Sequence, residues 1–132
     1  MNTKSLGLVW IVVKDLKKAI EFYTKTVGLK LMELNEQFGW AELEGHSGGA
    51  RLGIAQMQLK SEDDVQPGQN AVMTFTVANI ESAVADMTAK GARLIGAIEE
   101  IPGHVKMQTA LDTDGNRFQI VEVCHHHHCA HC

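Results

Sequence analysis

What most constrains this chain is an internal repeat. Residues 8–13 (LVWIVV) are rich in β-branched and aromatic side chains and read as a strand. Asp15 follows as a helix N-cap, and Leu16, Ala19, Ile20, Tyr23 and Val27 recur at helical spacing until Gly28. The spacing predicts an amphipathic helix of about three turns with a glycine stop, packed on a sheet through Phe22 and Tyr23. From residue 72 the pattern returns. VMTFTV is strand-like, Asn79 caps, Ile80, Ala83, Val84 and Met87 form the stripe, and Gly91 stops it. Asp15 and Asn79 stand 64 residues apart, and so do Ala19 and Ala83. Three strand candidates follow each copy, at 30–34, 38–43 and 50–57 and again at 93–97, 106–112 and 118–123. The order βαβββ occurs twice.

One such unit, at about 55 residues, buries too little surface to be reliably stable alone. Two units can each supply a sheet and cover one another's exposed face. The fold expected is therefore α+β: two tandem βαβββ modules forming a curved sheet that bears a cleft, with the helices outside. One domain should cover 1–123, with modules at about 6–59 and 70–123. The linker at 60–69 carries an acidic run and Pro67-Gly68, which is turn chemistry. In the last strand Phe118, Ile120 and Glu122 share one face, while Gln119, Val121 and Val123 share the other. Neither face is cleanly polar, as expected where a helix covers one side and the other lines a cleft.

Charge excludes some functions. Lys and Arg number 12 against 16 Asp and Glu, a net charge of −4, and the basic residues form no stripe. A nucleic-acid partner is not expected. The apolar run at 8–13 is too short to cross a membrane and precedes no small-residue cleavage site. A cytoplasmic protein with no membrane partner is the expectation. Histidine and cysteine are unevenly placed: of 7 His and 3 Cys, the body holds only His46 and His104. The body alone thus has no disulfide framework, no cysteine nucleophile and no multi-histidine metal cage.

Two stretches carry a family likeness. One is VKDLKKAIEFYTKTVGLKL at 13–31, with its D-L-x-x-A-x-x-F-Y and V-G-L core. The other is LDTDGNRFQIVEV at 111–123, close to a D-P-D-G-N ending but with Thr113 in place of proline. With the duplicated βαβββ pattern they resemble the vicinal oxygen chelate superfamily, which includes glyoxalase I, extradiol dioxygenases and bleomycin resistance proteins. The resemblance covers almost all of the body. It implies the fold above and a homodimer, because members often pair modules between chains. It carries less weight for activity, since one fold hosts many functions.

Members resembling glyoxalase I hold a divalent metal on four inward-facing strand positions. Those positions match Leu8, Gly53, Val72 and Gln119 here. Two aliphatic side chains, a glycine and one amide are a poor donor set. Metal-dependent glyoxalase or dioxygenase chemistry is therefore disfavoured, and no cofactor is expected in the cleft. No catalytic residue is assigned.

The same cleft, stripped of metal donors, would be mostly apolar with a few converging polar groups. Leu8, Trp10, Trp40, Arg51, Gly53, Val72, Thr74, His104, Arg117 and Gln119 are its candidate ligand-binding residues. Trp10 reads either as core or as a stacking surface. Arg51 and Arg117 read either as ion-paired or solvated strand residues, or as anchors for an anionic group. Gln119 holds a vacated ligand position, where a buried amide needs partners. His104 follows the Pro102-Gly103 turn, either as a surface residue or as an acid, base or donor at the rim. From the strand of residues 38–43, either Trp40 and Glu42 or Ala41 and Leu43 face the cleft.

The leading expectation is a bleomycin resistance-like protein that binds a small apolar or amphipathic molecule without the usual metal. A lyase or isomerase of the same fold, using His104, Glu42 or Gln119, is the alternative. The last nine residues support a further one. Cys124, His125, His126, His127, His128, Cys129, His131 and Cys132 are donors suited to zinc, nickel or copper. They read either as a metal-binding arm or as an appended expression feature.

Overall fold

The structure, a computed structural model, describes residues 2, 4, 6–58, 65–69 and 72–123. These group into two compact units: the described residues of Met1–Asn70 with Thr113–Asn116, and those of Ala71–Asp112 with Arg117–Cys132. Each unit contains one four-stranded sheet and one helix. Half of the expected linker, 60–64, lies outside the described residues.

In the first unit β1 (Leu8–Val13), β2 (Lys30–Asn35), β3 (Trp40–Gly45) and β4 (Gly48–Gln56) lie in the order β1-β4-β3-β2. β1 runs parallel to β4, and the other neighbours are antiparallel. Helix α1 (Leu16–Glu21) begins where expected, because the Asp15 carboxylate accepts from Lys18 N–H at 3.1 Å. It buries Leu16 and Ala19 against the face formed by Ile11, Val13, Ala41, Leu43, Leu52 and Ile54.

The expected helix to Val27 changes character part-way. Residues Phe22–Thr26 form a π-helical turn, with Val27 N–H donating to Phe22 C=O at 3.1 Å. The Thr24 hydroxyl donates to Ile20 C=O at 2.7 Å, a side-chain bond that competes with the regular ladder. The turn leaves Tyr23 fully buried, edge-on to Phe22 with ring centres 5.2 Å apart. Gly28 then closes the segment at φ 91°, a left-handed conformation that glycine adopts without steric cost.

The second unit repeats the plan. β5 (Met73–Thr76), β6 (Arg93–Ile101), β7 (Val105–Leu111) and β8 (Arg117–Val123) lie in the order β5-β8-β7-β6, with β5 parallel to β8. α2 (Ile80–Ala89) is capped by Asn79, whose side-chain oxygen accepts from Ser82 N–H at 2.8 Å. It buries Ile80 and Met87; Met73, Ala110, Phe118 and Ile120 complete that core.

Each unit ties its last strand to its own helix in a way that its sequence does not advertise. In the first, the Gln56 side-chain oxygen accepts from Leu16 N–H at 2.7 Å. In the second, the Glu122 carboxylate accepts from Ile80 N–H at 2.9 Å. Each last strand thus satisfies an orphan donor in the first turn of its own helix. This explains why Glu122 lies on the apolar face of β8.

The D-T-D-G-N ending has a structural task. Asn116 is fully buried; its amide donates to Val12 C=O at 3.2 Å, and its oxygen accepts from Gly68 N–H at 2.8 Å. Buried Gln108 donates to the carbonyls of Ile95 and Gly96, where β6 shifts register. No helix among the described residues is long and apolar enough to cross a membrane.

Candidate functional site

Alternation along a strand sends every second side chain away from the helix. In the first sheet that face carries Leu8 and Trp10 of β1, Arg51 and Gly53 of β4, Trp40, Glu42 and Glu44 of β3, and Glu33 of β2. The strand register lays Glu33, Glu42, Gly53 and Trp10 in one row across four strands. Ala41 and Leu43 are buried on the opposite face. Of the two readings for β3, the structure therefore gives Trp40 and Glu42 to this face.

Trp10 is not a core residue. It is 50% exposed, and its ring centre lies 6.4 Å from that of Trp40 at an interplanar angle of 58°. Gly53 makes the arrangement possible. A Cβ there would stand 2.4 Å from Trp40 Cη2 and 2.7 Å from Cζ2, so the Trp40 indole rests where a side chain would otherwise be. The indole is also held at its polar edge. Trp40 Nε1–H donates to Glu42 Oε2 at 2.9 Å, and Arg51 Nη1 donates to Glu42 Oε1 at 3.0 Å. Arg51 Nε lies 3.9 Å from Glu44. The Trp40 N–H and then the Arg51 guanidinium hold the Glu42 carboxyl below the usual carboxylate range, and Glu42 in turn raises Arg51.

The Arg51 guanidinium is engaged by carboxylates of its own sheet. Glu42, a candidate acid or base, is likewise committed to fixing Trp40.

In the second sheet the face away from α2 carries Thr74 and Thr76 of β5, Arg117, Gln119 and Val121 of β8, and Met107 and Thr109 of β7. Gln119 stands opposite Thr74 and opposite Thr109. Its amide reaches Thr109 Oγ1 at 3.4 Å and Met107 Sδ at 4.0 Å, both long contacts for an amide donor. Val72 and Thr74 are exposed, and so is Arg117 at the start of β8. His104 is not with them. It lies in the β6–β7 turn, its N–H bonded to Ile101 C=O, five residues along the chain from Thr109. At strand rise that is about 17 Å. His46, in the β3–β4 turn, has a ring nitrogen 2.8 Å from Gly28 C=O.

The four expected metal positions fit no metal. Leu8 and Val72 present hydrocarbon, Gly53 presents no side chain, and Gln119 presents one neutral carbonyl oxygen. Among the described residues no three of His, Cys, Asp or Glu are grouped to hold an ion. The tail donors at 124–132 lie outside the described residues.

A profile of the Glyoxalase/Bleomycin resistance protein/Dioxygenase superfamily matches residues 5–120. The chain belongs to this superfamily. No functionally curated protein matches it by sequence. Solved structures share the fold. One is a member of the same superfamily from Sphaerobacter thermophilus DSM 20745, at a TM-score of 0.79 and 22% identity, covering 91% of this chain and 98% of that one. Another is TnmS3, an antibiotic binding protein from Streptomyces sp. CB03234, at 0.78 and 19%, covering 93% and 98%. A third is TioX from Micromonospora sp. ML1, at 0.69 and 14%, covering 90% and 98%.

The aromatic device was only half visible in the sequence. The sequence marks Trp10, Trp40 and Gly53 one by one, but nothing local says that Trp40 lies across Gly53. Glu33 joins this row through the pairing of β2 with β3, and no motif marks it.

Proposed function

We infer that this superfamily member binds a small planar or amphipathic molecule, without a divalent metal, on the tryptophan-bearing face of its first sheet. The observation that carries the reading is the Trp10–Trp40 pair: one indole is half exposed, the other fixed over Gly53 and pinned by Glu42. A rigid aromatic surface binds flat ligands at low entropic cost, because little has to be ordered on binding. Leu8 extends the apolar surface. Val72, Thr74 and Gln119 are the corresponding positions of the second module, where Gln119 supplies an amide. Likeness in fold to an antibiotic binding protein supports a sequestering role over a catalytic one. The reading treats 1–123 as one domain of a cytoplasmic homodimer.

The test is a titration of planar aromatic compounds, read by quenching of tryptophan emission in the presence of a chelator. Saturable one-to-one binding that persists with chelator and weakens at least tenfold in Trp10→Ala is expected. Chelator-sensitive turnover of a substrate, or binding indifferent to Trp10, contradicts the reading.

A further inference from the structure

We propose a second binding site, on the helix side of the first sheet, that takes an aliphatic carboxylate: an apolar body ending in one negative charge.

The site exists because α1 leaves the edge strand uncovered. The helix packs chiefly on β4 and β3 and turns π-helical after Glu21. Strand β2 nevertheless turns apolar side chains to that side. Leu31 pairs with Leu43 and Leu34 with Ala41, and both partners are fully buried on the helix-covered face. The register shift between Leu31 and Glu33 sends both leucines the same way, which a regular strand would not do at this spacing. They remain 41% and 43% exposed. Beside Leu34 lies a cavity of about 350 Å³, at the low end of the range for small-molecule pockets. Leu16, Ile20 and Leu34 give it apolar walls; Lys14, Lys17 and Glu36 supply its charges. β1, β4 and β2 all run in one direction, and the cavity opens at their carboxyl ends, where sheets with helical crossovers collect ligands.

Charge selects the guest. The neutral groups of the floor are already used. Gln56 accepts from Leu16 N–H at 2.7 Å and donates to Lys14 C=O, and the Asp15 carboxylate accepts from Lys18 N–H at 3.1 Å. The Lys14 and Lys17 ammonium groups are not used: among the described residues neither has a carboxylate within 4 Å. Both stand on the α1 side of the cavity, whereas Glu36 belongs to the turn between β2 and β3. Two unengaged cations against one unengaged carboxylate favour an anion. With Gln56 and the first-turn amides taken, the guest is held by charge at one end and by apolar contact along its body.

Heptanoate, 1-heptanol and heptylammonium share one tail and differ in charge, and none has a ring to stack on the tryptophans. Each is titrated to about 10 mM into the isotope-labelled full chain and read by amide chemical shifts, a range that captures dissociation constants near 1 mM. Shifts are expected at residues 14–20 and 34–39. Heptanoate is expected to bind at least about fivefold more tightly than heptanol, the factor one ammonium supplies at contact distance in water, with heptylammonium weakest. Lys14→Gln combined with Lys17→Gln should remove most of that advantage and leave heptanol unchanged, and added salt should act in the same direction. Leu34→Asn should weaken all three probes, and Trp10→Ala none. Equal affinity of the three, or a preference for heptylammonium, overturns the anion class. Absence of shifts around the cavity, or binding lost with Trp10→Ala and kept with Leu34→Asn, overturns the site itself.

Discussion

Replacing Gly53 by alanine tests how the aromatic surface is built. The backbone at Gly53 is ordinary strand, so the cost is steric. The added methyl would sit 2.4 Å from Trp40 Cη2, 2.7 Å from Cζ2 and 3.0 Å from Trp10 Cβ. Carbon atoms prefer about 3.5–4.0 Å, so the indole must retreat by roughly 1 Å or more. The indole is anchored at its other edge, 2.9 Å from Glu42, and its retreat strains or breaks that bond. That bond is charge-assisted but open to solvent, so its loss adds only modestly to the cost. Overpacking adds about 1–3 kcal/mol where neighbours cannot yield, and replacing glycine within a strand returns about 0.5–1 kcal/mol. The net expectation is a loss of about 1–2 kcal/mol, or a Tm lowered by about 4–8 °C.

The assay is equilibrium urea unfolding, with tryptophan emission as a second readout. Gly53→Ala should alter the native emission, because Trp40 leaves its carboxylate. The decisive comparison is a double-mutant cycle with Trp40→Leu. Once the indole is gone the methyl has room, and Gly53→Ala should become neutral or stabilising by about 0.5 kcal/mol. Equal cost in both backgrounds would refute the claim that Gly53 exists to seat Trp40.

Three other perturbations address different parts of the molecule. Asn116→Ala orphans Gly68 N–H and Val12 C=O together and should cost about 2–3 kcal/mol in urea unfolding; a loss under about 0.5 kcal/mol would contradict the structural role given to the D-G-N turn. The Glu42 carboxyl, held below its ordinary value of 4.5, contributes fully above that value and loses its contribution as pH falls through the folded-state value. Tryptophan emission should therefore titrate below about pH 4.5, and Glu42→Gln should flatten that titration; an unchanged curve would remove Glu42 as the cause. Deleting residues 124–132 should abolish zinc uptake measured by calorimetry while leaving the unfolding curve intact, and zinc bound at full stoichiometry without the tail would place the ion in the body.

How legible the molecule was depends on whether its signals were local. Asp15 and Asn79 are visible as caps because capping needs only a side-chain oxygen and the next three residues. The strands were visible for the same reason, through short runs of β-branched residues, although β6 extends to Ile101 because its paired edge bulges past Gly96. The π-helical turn was hidden, since Thr24 and Val27 fit an α-helical stripe equally well. So was the task of Asn116, whose partners lie 48 and 104 residues away in the chain. Side-chain bonds between distant segments leave no periodic trace. The absence of metal donors was legible only because a family pattern named four positions; Leu8 by itself says nothing.

The two modules also differ in what they keep and what they change. On the helix-covered faces the copies match: Gln56 and Glu122 each bond the first turn of their own helix, and Asp15 and Asn79 each cap it. On the other faces they diverge at equivalent positions. Trp10 pairs with Gly53 in the first sheet, where Thr74 pairs with Gln119 in the second. A large ring beside an empty position makes an aromatic shelf, whereas a small hydroxyl residue beside an amide makes a polar surface. Folding demands act on the conserved joints, because a helix N-terminus with an unsatisfied donor costs each module alike. No such demand fixes the open faces, which are therefore where a duplicated chain is free to acquire a ligand preference. Trp10 stays half exposed, leaving apolar surface in water that burial would have removed, so the first face contributes less to stability than the helix-covered one.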